Sequence, residues 1–283
     1  MQINFKTDAI AVVVWYNPKQ EHMNNILSYI DAVSKVVIID NSSVDNSHFL
    51  SNIDTITYIP LLKNQGIATA LNIGCKEAIK LQAKWILTMD QDSCWEQEQL
   101  NKYFEYINQF TPVADVGVFS PRQNYNGHYV HYQNHYEDKI AVMTSGCLIS
   151  STGFERTNGF RDDFFIDEVD NEYCMHIRQL GMRVVIINNA NLVHQLGELR
   201  RVKLFGIFKK EFIDHEPFRY YYMVRNNLVL SQMYPIYEKF NRHRLIKLIK
   251  RILFYDKVHK LQAIKMCLKG WRDFRKGTMG KLQ

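Results

Sequence analysis

The chain has 283 residues, of which 46% are hydrophobic, 23% charged and 13% aromatic. This composition predicts a globular protein with a substantial core, and it excludes a disordered, collagen-like or linker-dominated chain. No apolar run approaches the ~20 residues that cross a bilayer, and no cleavage site of small residues follows the first apolar run, which argues against a signal peptide. Five scattered cysteines without a CxxC pattern predict a reduced, cytoplasmic protein without a cysteine-built zinc site.

The net charge of +6 is distributed unevenly along the chain. Residues 236–283 carry 14 Lys/Arg and 3 Asp/Glu, whereas the preceding 235 residues carry 21 Lys/Arg and 26 Asp/Glu. An acidic body with a basic tail is not the pattern of a uniform nucleic-acid binder. We therefore expect no nucleic-acid partner.

The first 120 residues alternate short apolar runs with helical patterns. The continuous apolar run at residues 9–16 predicts a strand that is buried on both faces. Further along, the pattern predicts a helix over 21–32, strands at 36–40 and 56–59, a helix after the turn 64–66, and a strand at 85–89. Such alternation predicts a parallel sheet covered by helices, with ligands at the carboxyl ends of its strands, where Asp40 and Asp90 lie.

After residue 110 the pattern becomes mixed. It predicts strands at 116–120, 143–149 and 183–187, a polar loop or irregular hairpin over 124–138, and a helix over 170–180 that ends at Gly181. From about residue 214 the pattern is helical. We therefore expect an α/β domain over residues 1–213 and a helical region over residues 214–283.

Asp90 and Asp92 follow the strand at 85–89 with one residue between them. In a turn, two such carboxylates can converge on one point, and their hard oxygens suit Mg²⁺ or Mn²⁺ holding a diphosphate. A solvated turn is the alternative, because so short a pattern also arises by chance. His194 follows another apolar run and is a candidate third ligand, although a lone histidine is more often structural or exposed.

Four carboxylates fall within residues 167–172, directly after the short apolar run 164–166. Acidic residues in a first helical turn stabilise the helix dipole, which is one explanation for them. The other is a general base whose pKa is raised by the crowding of neighbouring carboxylates. No GxGxxG, GxxxxGK[ST], HExxH or GxSxG pattern is present, so nucleotide binding and hydrolysis by those routes are not expected.

Taken in order, these motifs resemble the family 2 glycosyltransferases with the GT-A fold, and in particular their bacterial rhamnosyltransferase-like branch. The resemblance covers roughly residues 8–230. It lies in VVVWYNP (12–18), VVIIDNSSVD (36–45), KNQGIATALNIG (63–74), WILTMDQDS (85–93), TSGCLIS (144–150), GFRDDFFIDEVDNEYCMHIRQLG (159–181), LVHQLGE (192–198) and FRYYYMVRNN (218–227). The DQDS, FFIDxVDxE and YYxxRN patterns are similar to the rhamnosyltransferase branch.

The resemblance implies a fold and a set of site residues. The fold is α/β, a GT-A (Rossmann-like), mostly parallel sheet flanked by helices, with a C-terminal helical extension. Asp170 aligns with the catalytic base and Asp167 is the second choice. The implied ligands of Mg²⁺ or Mn²⁺ are Asp90, Asp92 and His194. The implied nucleotide-sugar-binding residues are Tyr16, Asn17, Asp40, Asn64, Gly66, Asp90 and Gln91.

Two positions depart from the family pattern. Trp15 stands where the family usually has a small hydroxyl residue, which implies a differently shaped nucleotide pocket. His176 stands where an arginine is usual, while Arg178 is retained. The contact that the family arginine makes, either with the diphosphate or within the protein, is therefore not implied for this chain.

The implied activity is transfer of a sugar, with inversion, from a nucleotide-diphosphate sugar to a glycan or polyprenyl-diphosphate-linked acceptor. dTDP-rhamnose is the implied donor, and bacterial surface polysaccharide is the implied product. The alternatives are a transferase that uses a UDP-hexose and a non-catalytic, nucleotide-sugar-binding scaffold. The enzyme would work in the cytoplasm, at the inner face of the cell membrane.

The tail 236–283 contains a helical pattern in which basic and apolar residues fall on opposite faces. The basic set is Arg244, Lys247, Lys250 and Arg251, and the apolar set is Leu245, Leu248, Ile249 and Ile252. Such a helix suits peripheral docking on anionic lipids, and it equally suits a helix that packs on the core with a solvated basic face.

Overall fold

The computed structural model describes residues 2–50, 53–125, 127, 129–194, 199–204, 208–213, 215–254 and 259–283. The chain forms two compact units, the first made of residues 1–162 and 170–195, and the second of residues 163–169 and 196–283. The predicted division between residues 213 and 214 stays a prediction, and residue 214 lies outside the described residues. So do residues 195–198, which end the motif 192–198.

The first unit alternates strands and helices, as the sequence predicts. Its strands are β1 (Ala9–Trp15), β2 (Lys35–Asp40), β3 (Ile56–Pro60), β4 (Trp85–Asp90), β5 (Ser93–Cys94), β6 (Val116–Asn124), β7 (Tyr136–Asp138), β8 (Cys147–Ser150) and β9 (Arg183–His194). Its helices are α1 (Phe5–Asp8), α2 (Gln20–Leu27), α3 (Ile67–Lys80), α4 (Gln97–Gln109), α5 (Ser151–Thr157) and α6 (Val169–Gln179), the last of which begins at the final residue of the second unit.

Within the described residues, β1 to β9 form one sheet in the order β3-β2-β1-β4-β8-β6-β9-β5, and β7 pairs with β9. The pairs β3-β2, β2-β1 and β1-β4 are parallel, which confirms the prediction for the first half of the chain. β1 is buried at all seven positions, as expected for a central strand with helices on both faces. β8 runs antiparallel to both of its neighbours, so the second half of the sheet is mixed.

Several element boundaries differ from the predicted ones, and β6 runs to Asn124 instead of residue 120. The helix predicted over 21–32 ends at Leu27, where the Ser28 hydroxyl donates to the Asn25 carbonyl (2.6 Å) and accepts the Trp95 N–H (2.9 Å). The strand predicted over 143–149 begins only at Cys147, because Gly146 turns the chain with a φ of +78°. β9 continues past residue 187 to His194, since residues 191–194 pair with β6 and β5.

The second unit contains the hairpin of β10 (Leu199–Leu204) and β11 (Phe208–Ile213), followed by α7 (Pro217–Met233), α8 (Glu238–Phe254) and α9 (Lys260–Lys276). Tyr220 of α7, Ile252 of α8 and Ala263 of α9 form a small buried cluster. Ile252 is buried, whereas Ile249 of the same predicted apolar set is 43% exposed. Over the described parts of the chain, every helix is too short or too polar to traverse a bilayer.

Candidate active site

The carboxyl ends of β1 and β4 are joined by the side chain of Gln91. The Tyr16 N–H donates to Gln91 Oε1 (2.8 Å), and Gln91 Nε2 donates to the Tyr16 carbonyl (3.2 Å). Asn25 of α2 donates to the Gln91 carbonyl (2.8 Å). Gln91 therefore fixes the backbone at this edge of the sheet and leaves the Tyr16 ring half exposed.

Asp40 ends β2 and is completely buried. Its carboxylate accepts hydrogen bonds from the Ser42 N–H (3.0 Å), from Asn46 Nδ2 (2.8 Å) and from the Tyr58 hydroxyl (2.7 Å). Burial and the bond to Asp40 raise the pKa of Tyr58 far above its usual range, so this hydroxyl stays a donor. In the described structure Asp40 organises the loop after β2, and its predicted role in nucleotide-sugar binding stays a prediction.

The predicted nucleotide-binding residues Asn64 and Gly66 are tied to the same loop. Asn64 Oδ1 accepts the Gly66 N–H (2.9 Å) and Asn41 Nδ2 (3.2 Å), while Asn41 Oδ1 accepts the Gln65 N–H (2.8 Å). Gly66 precedes α3 with a φ of +89°, a conformation that glycine adopts at little cost. Asn17 also has a positive φ (48°), and its N–H donates to Ser42 Oγ (2.8 Å).

Asp90, Asp92 and His194 come together as a candidate metal site. One ligand atom from each of the three side chains lies within 4.8 Å of the other two, and all three residues are partly buried. His194 reaches the carboxylates because β5 pairs with the end of β9, with Ser93 opposite His194. Its Nδ1 is 3.6 Å from Asp92 Oδ1. Two carboxylates and an imidazole are a donor set that fits Mg²⁺ or, better, Mn²⁺.

A chain of buried hydroxyl groups runs behind this site, and sequence reasoning missed it. The Asp90 N–H donates to Ser145 Oγ (3.1 Å), the Ser145 hydroxyl donates to Ser93 Oγ (2.8 Å), and Ser93 Oγ lies 2.6 Å from His194 Nδ1. Ser93 and Ser145 are fully buried. The signal for them was their place within two of the quoted motifs, DQDS for Ser93 and TSGCLIS for Ser145. They fix the imidazole on its Nδ1 side.

The carboxylates of Asp90 and Asp170 act on the same buried thiol. Burial raises the pKa of Cys147 well above its usual range, and the nearby Cys174, Asp170 and Asp90 add to this effect. Asp90 likewise adds to the effect of burial in raising the pKa of Tyr125. The ring of Tyr125 packs edge-on against His194, with a centroid distance of 5.8 Å. Asp90 and Asp170 therefore both lie within electrostatic range of Cys147.

Asp170 lies in the first turn of α6 and is partly exposed. Its Oδ1 accepts the backbone N–H of Asn171 (2.8 Å) and Asn171 Nδ2 (3.2 Å). Further along α6, Arg178 donates to the Lys139 carbonyl (3.0 Å), so this retained arginine holds a neighbouring loop. His176 is partly exposed on the same helix.

Asp167 belongs to the second unit and has a different environment. Arg219 of α7 donates hydrogen bonds to both of its carboxylate oxygens, from Nη2 to Oδ1 (2.5 Å) and from Nε to Oδ2 (3.2 Å). The next residue, Glu168, forms an ion pair with Arg244 of α8. Both carboxylate side chains are largely buried and are engaged by partly exposed arginines, which is the pattern of a structural ion pair.

Comparisons with known proteins agree with the predicted family. The model of glycosyl transferase family 2 matches residues 12–184. The dTDP-rhamnosyl transferase RfbF of Shigella flexneri is 31% identical over 238 residues, which are 78% of this chain and 78% of that protein.

Solved structures share the fold at low identity. TarS 1–349 of S. aureus, in complex with UDP-GlcNAc, has a TM-score of 0.60 and 15% identity, and the match covers 96% of this chain and 81% of that one. GalNAc-T7 with UDP, GalNAc and Mn²⁺ has a TM-score of 0.56 and 11% identity; the match covers 87% of this chain but only 57% of that one. The predicted α/β GT-A fold is confirmed. The chain belongs to glycosyltransferase family 2 and is an enzyme that transfers a sugar from a nucleotide-sugar donor.

Proposed function

We propose that the enzyme transfers L-rhamnose from dTDP-rhamnose, with inversion, to a hydroxyl group of a lipid-linked or growing surface polysaccharide. The sugar and nucleotide are supported by the 31% identity to a dTDP-rhamnosyl transferase over most of both chains. The observation that carries the chemistry is the convergence of Asp90, Asp92 and His194 within 4.8 Å at the edge of the sheet.

In this proposal Asp90, Asp92 and His194 hold Mg²⁺ or Mn²⁺. When bound, the cation neutralises the negative charge that develops on the departing nucleoside diphosphate. Tyr16, Asn17, Asn64, Gly66 and Gln91 line the nucleotide side of the site. Asp40, which is enclosed, acts on the nucleotide through the loop that it organises.

Asp170 is the proposed general base, because it lies in the same unit as the metal ligands and influences the same buried Cys147 as Asp90. Its carboxylate takes the proton of the acceptor hydroxyl as that oxygen bonds to the anomeric carbon, while the bond from this carbon to the diphosphate oxygen breaks. A single displacement inverts the anomeric configuration. Asp167 is the weaker choice, since Arg219 occupies both of its oxygens.

A UDP-hexose remains the second candidate donor. It is favoured by the fold shared with TarS bound to UDP-GlcNAc and with GalNAc-T7 bound to UDP. A panel of dTDP-rhamnose, UDP-glucose and UDP-GlcNAc, assayed for donor hydrolysis and for thermal shift with Mn²⁺ or with EDTA, separates the two. We expect dTDP-rhamnose to give the largest shift, and EDTA to abolish it. A larger response to a UDP-hexose would overturn the donor assignment.

Two substitutions separate an enzyme from a non-catalytic scaffold. Asp90→Ala should abolish both turnover and the Mn²⁺-dependent thermal shift. Asp170→Asn should keep the donor shift but lower turnover by about 10²–10⁴-fold, the usual contribution of a general base. Asp167→Asn is the matched control. The folded fraction of this variant should retain the turnover of the unchanged enzyme. If Asp170→Asn kept turnover and Asp167→Asn lost it, the roles of the two residues would be exchanged.

The acceptor proposed here is a glycan or a polyprenyl-diphosphate-linked glycan at the inner face of the cell membrane, reached by peripheral contact through residues 236–283. Beside Tyr125, a pocket of about 230 Å³ is also lined by Arg122, Gln123, Tyr132 and Asn191. Aromatic rings and planar polar groups of this kind suit a sugar. Asn189 holds the wall of this pocket by accepting the Tyr132 N–H (2.8 Å) and donating to its carbonyl (2.9 Å).

A further inference from the structure

The exposed side of α8 is apolar and basic at the same time. Ile246, Ile249 and Leu253 recur at helical spacing and, with Phe254, are 43–58% exposed. Exposed basic side chains flank this stripe, namely Arg242, Lys247 and Lys250. Ile252, on the adjoining side of the helix, is buried in the cluster with Tyr220 and Ala263. The stripe is therefore a second apolar face, separate from the one that the helix uses for packing.

α9 repeats this arrangement. Leu261, Leu268 and Trp271 are 50–76% exposed and lie on one face, opposite the buried Ala263 and Gly270. The exposed basic residues of the same face are Lys265, Arg272, Arg275 and Lys276. The Arg275 guanidinium lies 5.6 Å from the Trp271 ring centroid, where cation and ring attract each other.

The exposed faces of α8 and α9 are named here the basic–apolar surface. Their net positive charge restricts which partners can bind there. Along α8 and α9, the acidic residues are Glu238 and Asp273, and Asp273 accepts a hydrogen bond from Tyr221 (2.9 Å). A second copy of the chain would bring like charges together. Nucleic acid would match the cations but leave the apolar stripes in water. An anionic bilayer surface satisfies both, because apolar side chains enter the acyl boundary while lysine and arginine reach the headgroups.

We propose that the basic–apolar surface of α8 and α9 docks the enzyme on the anionic phospholipid headgroups of a bilayer. The reason for such docking rests on the proposed function, since a lipid-linked acceptor would lie at the bilayer surface. Each helix has 17 residues and spans about 25 Å, long enough to lie along the interface rather than cross it.

The test is co-sedimentation of the full chain with vesicles, in the absence of any sugar donor. We expect binding to vesicles of equimolar phosphatidylcholine and phosphatidylglycerol, none to phosphatidylcholine alone, and weaker binding as salt screens the charges. Lys247→Glu combined with Lys250→Glu should lower the partition coefficient by more than about 25-fold, because each basic residue near an anionic surface contributes about fivefold. Leu268→Ser combined with Trp271→Ser should also lower it, through the lost apolar contact.

The matched controls lie in the first unit. Leu27→Ser removes an equally exposed leucine of α2, and Lys76→Glu reverses an exposed lysine of α3. Both should bind vesicles like the unchanged protein. All variants should keep the circular dichroism spectrum and the melting temperature of the unchanged protein, which shows that they are folded.

The docking proposal is overturned by equal binding to phosphatidylcholine alone, by no binding at all, or by controls that lose binding as much as the surface variants. It is also overturned if Leu268→Ser combined with Trp271→Ser abolishes self-association, measured by light scattering, and leaves vesicle binding unchanged. A third contrary result is binding of an oligonucleotide that the same double substitution leaves unchanged. Failure of the donor panel would affect the proposed function and leave a positive vesicle result standing.

Discussion

The imidazole of His194 shows how a single residue acquires its setting from distant parts of the chain. Ser93 and Ser145, both fully buried, link its Nδ1 to the backbone of Asp90. Hydrogen bonds to neighbouring groups commonly fix the ring orientation of metal-binding histidines. Ser93 Oγ, 2.6 Å from Nδ1, therefore fixes the imidazole beside Asp92.

Ser93→Ala should therefore weaken Mn²⁺ binding without removing a ligand. Loss of an orienting partner typically costs about 10-fold or more in metal affinity. Titration calorimetry of Mn²⁺ with the donor-free enzyme measures this directly. Ser151→Ala, which removes another buried hydroxyl that bonds to the Ala83 carbonyl, is the matched control and should leave Mn²⁺ affinity unchanged. Equal Mn²⁺ affinity in both variants would exclude an orienting role for Ser93.

The strained segment between Asp163 and Val169 shows how elements support one another in the second unit. Phe165, Asp167 and Glu168 all have a positive φ between 61° and 66°, which is costly for residues other than glycine. Asn226 of α7 donates to the carbonyls of Phe164 (3.1 Å), Ile166 (3.0 Å) and Asp167 (2.9 Å).

The neighbouring Arg225 is fully buried and holds the same segment through the carbonyls of Asp163 (3.0 Å) and Phe164 (3.2 Å). The YYxxRN pattern is therefore explained as a clamp on the segment that leads into α6.

Asn226→Leu should release this clamp. Leaving buried carbonyls unpaired costs about 1–3 kcal/mol each, so we expect the free energy of unfolding of the second unit to fall by at least about 2 kcal/mol. Urea unfolding measures the loss, and faster amide exchange over residues 163–169 would locate it. Gln232→Ala, on the exposed side of α7, should change stability by less than about 0.5 kcal/mol. Unchanged exchange over 163–169 in Asn226→Leu would contradict the clamp.

The contact of α3 with the sheet explains a glycine of the motif 63–74. A Cβ added at Gly74 would lie 2.4 Å from Val12 Cγ1 and 3.1 Å from Ile39 Cγ1. Gly74→Ala should therefore lower the free energy of unfolding of the first unit by about 1–3 kcal/mol through overpacking, although alanine is intrinsically the better helix former by about 1 kcal/mol. Lys76→Ala, on the exposed face of the same helix, is the control in urea unfolding. A gain in stability for Gly74→Ala would show that α3 can move away from β1.

At the scale of the whole molecule, the pH dependence of stability follows from buried histidines. Burial, with the cations Arg219 and Arg251, lowers the pKa of His215 to about 3. Burial also lowers the pKa of His22 in the first unit. The unfolded chain therefore takes up these protons first as pH falls. Stability is complete above about pH 6.5 and declines below it, by at most about 1.4 kcal/mol per pH unit for one group.

His215→Gln should remove much of the decline in stability of the second unit between about pH 6.5 and 4. Urea unfolding at a series of pH values measures the slope, with exposed His243→Gln as the control. Hydrogen bonds from Lys84 and Arg183 lower the pKa values of Asp8 and Asp138, so their stabilisation is lost only below about pH 4 and does not enter this window. An unchanged slope in His215→Gln would show that other groups dominate the pH dependence.

The parts of the fold that could be predicted are those that depend on residues close together in the sequence. The strands β1 to β4 were predicted because buried apolar runs between helical patterns are local signals. The antiparallel course of β8 and the long β9 were not, since strand direction is decided by pairing between segments far apart in sequence. The sequence also left open whether the apolar residues of α8 face outward or pack on the core, because helical periodicity shows that faces differ but not which one finds a partner.

The sequence by itself determined the family, the alternation of strands and helices, and the residue types of the candidate site, because all three are written in short motifs and their order. Only the tertiary structure decided what each side chain does. It encloses Asp40 in a hydrogen-bonded loop, engages Asp167 with Arg219, and brings His194 to Asp90 and Asp92 through the pairing of β5 with β9. The physical reason is that a carboxylate or an imidazole takes its role from the donors, cations and solvent around it, and folding supplies these from distant segments.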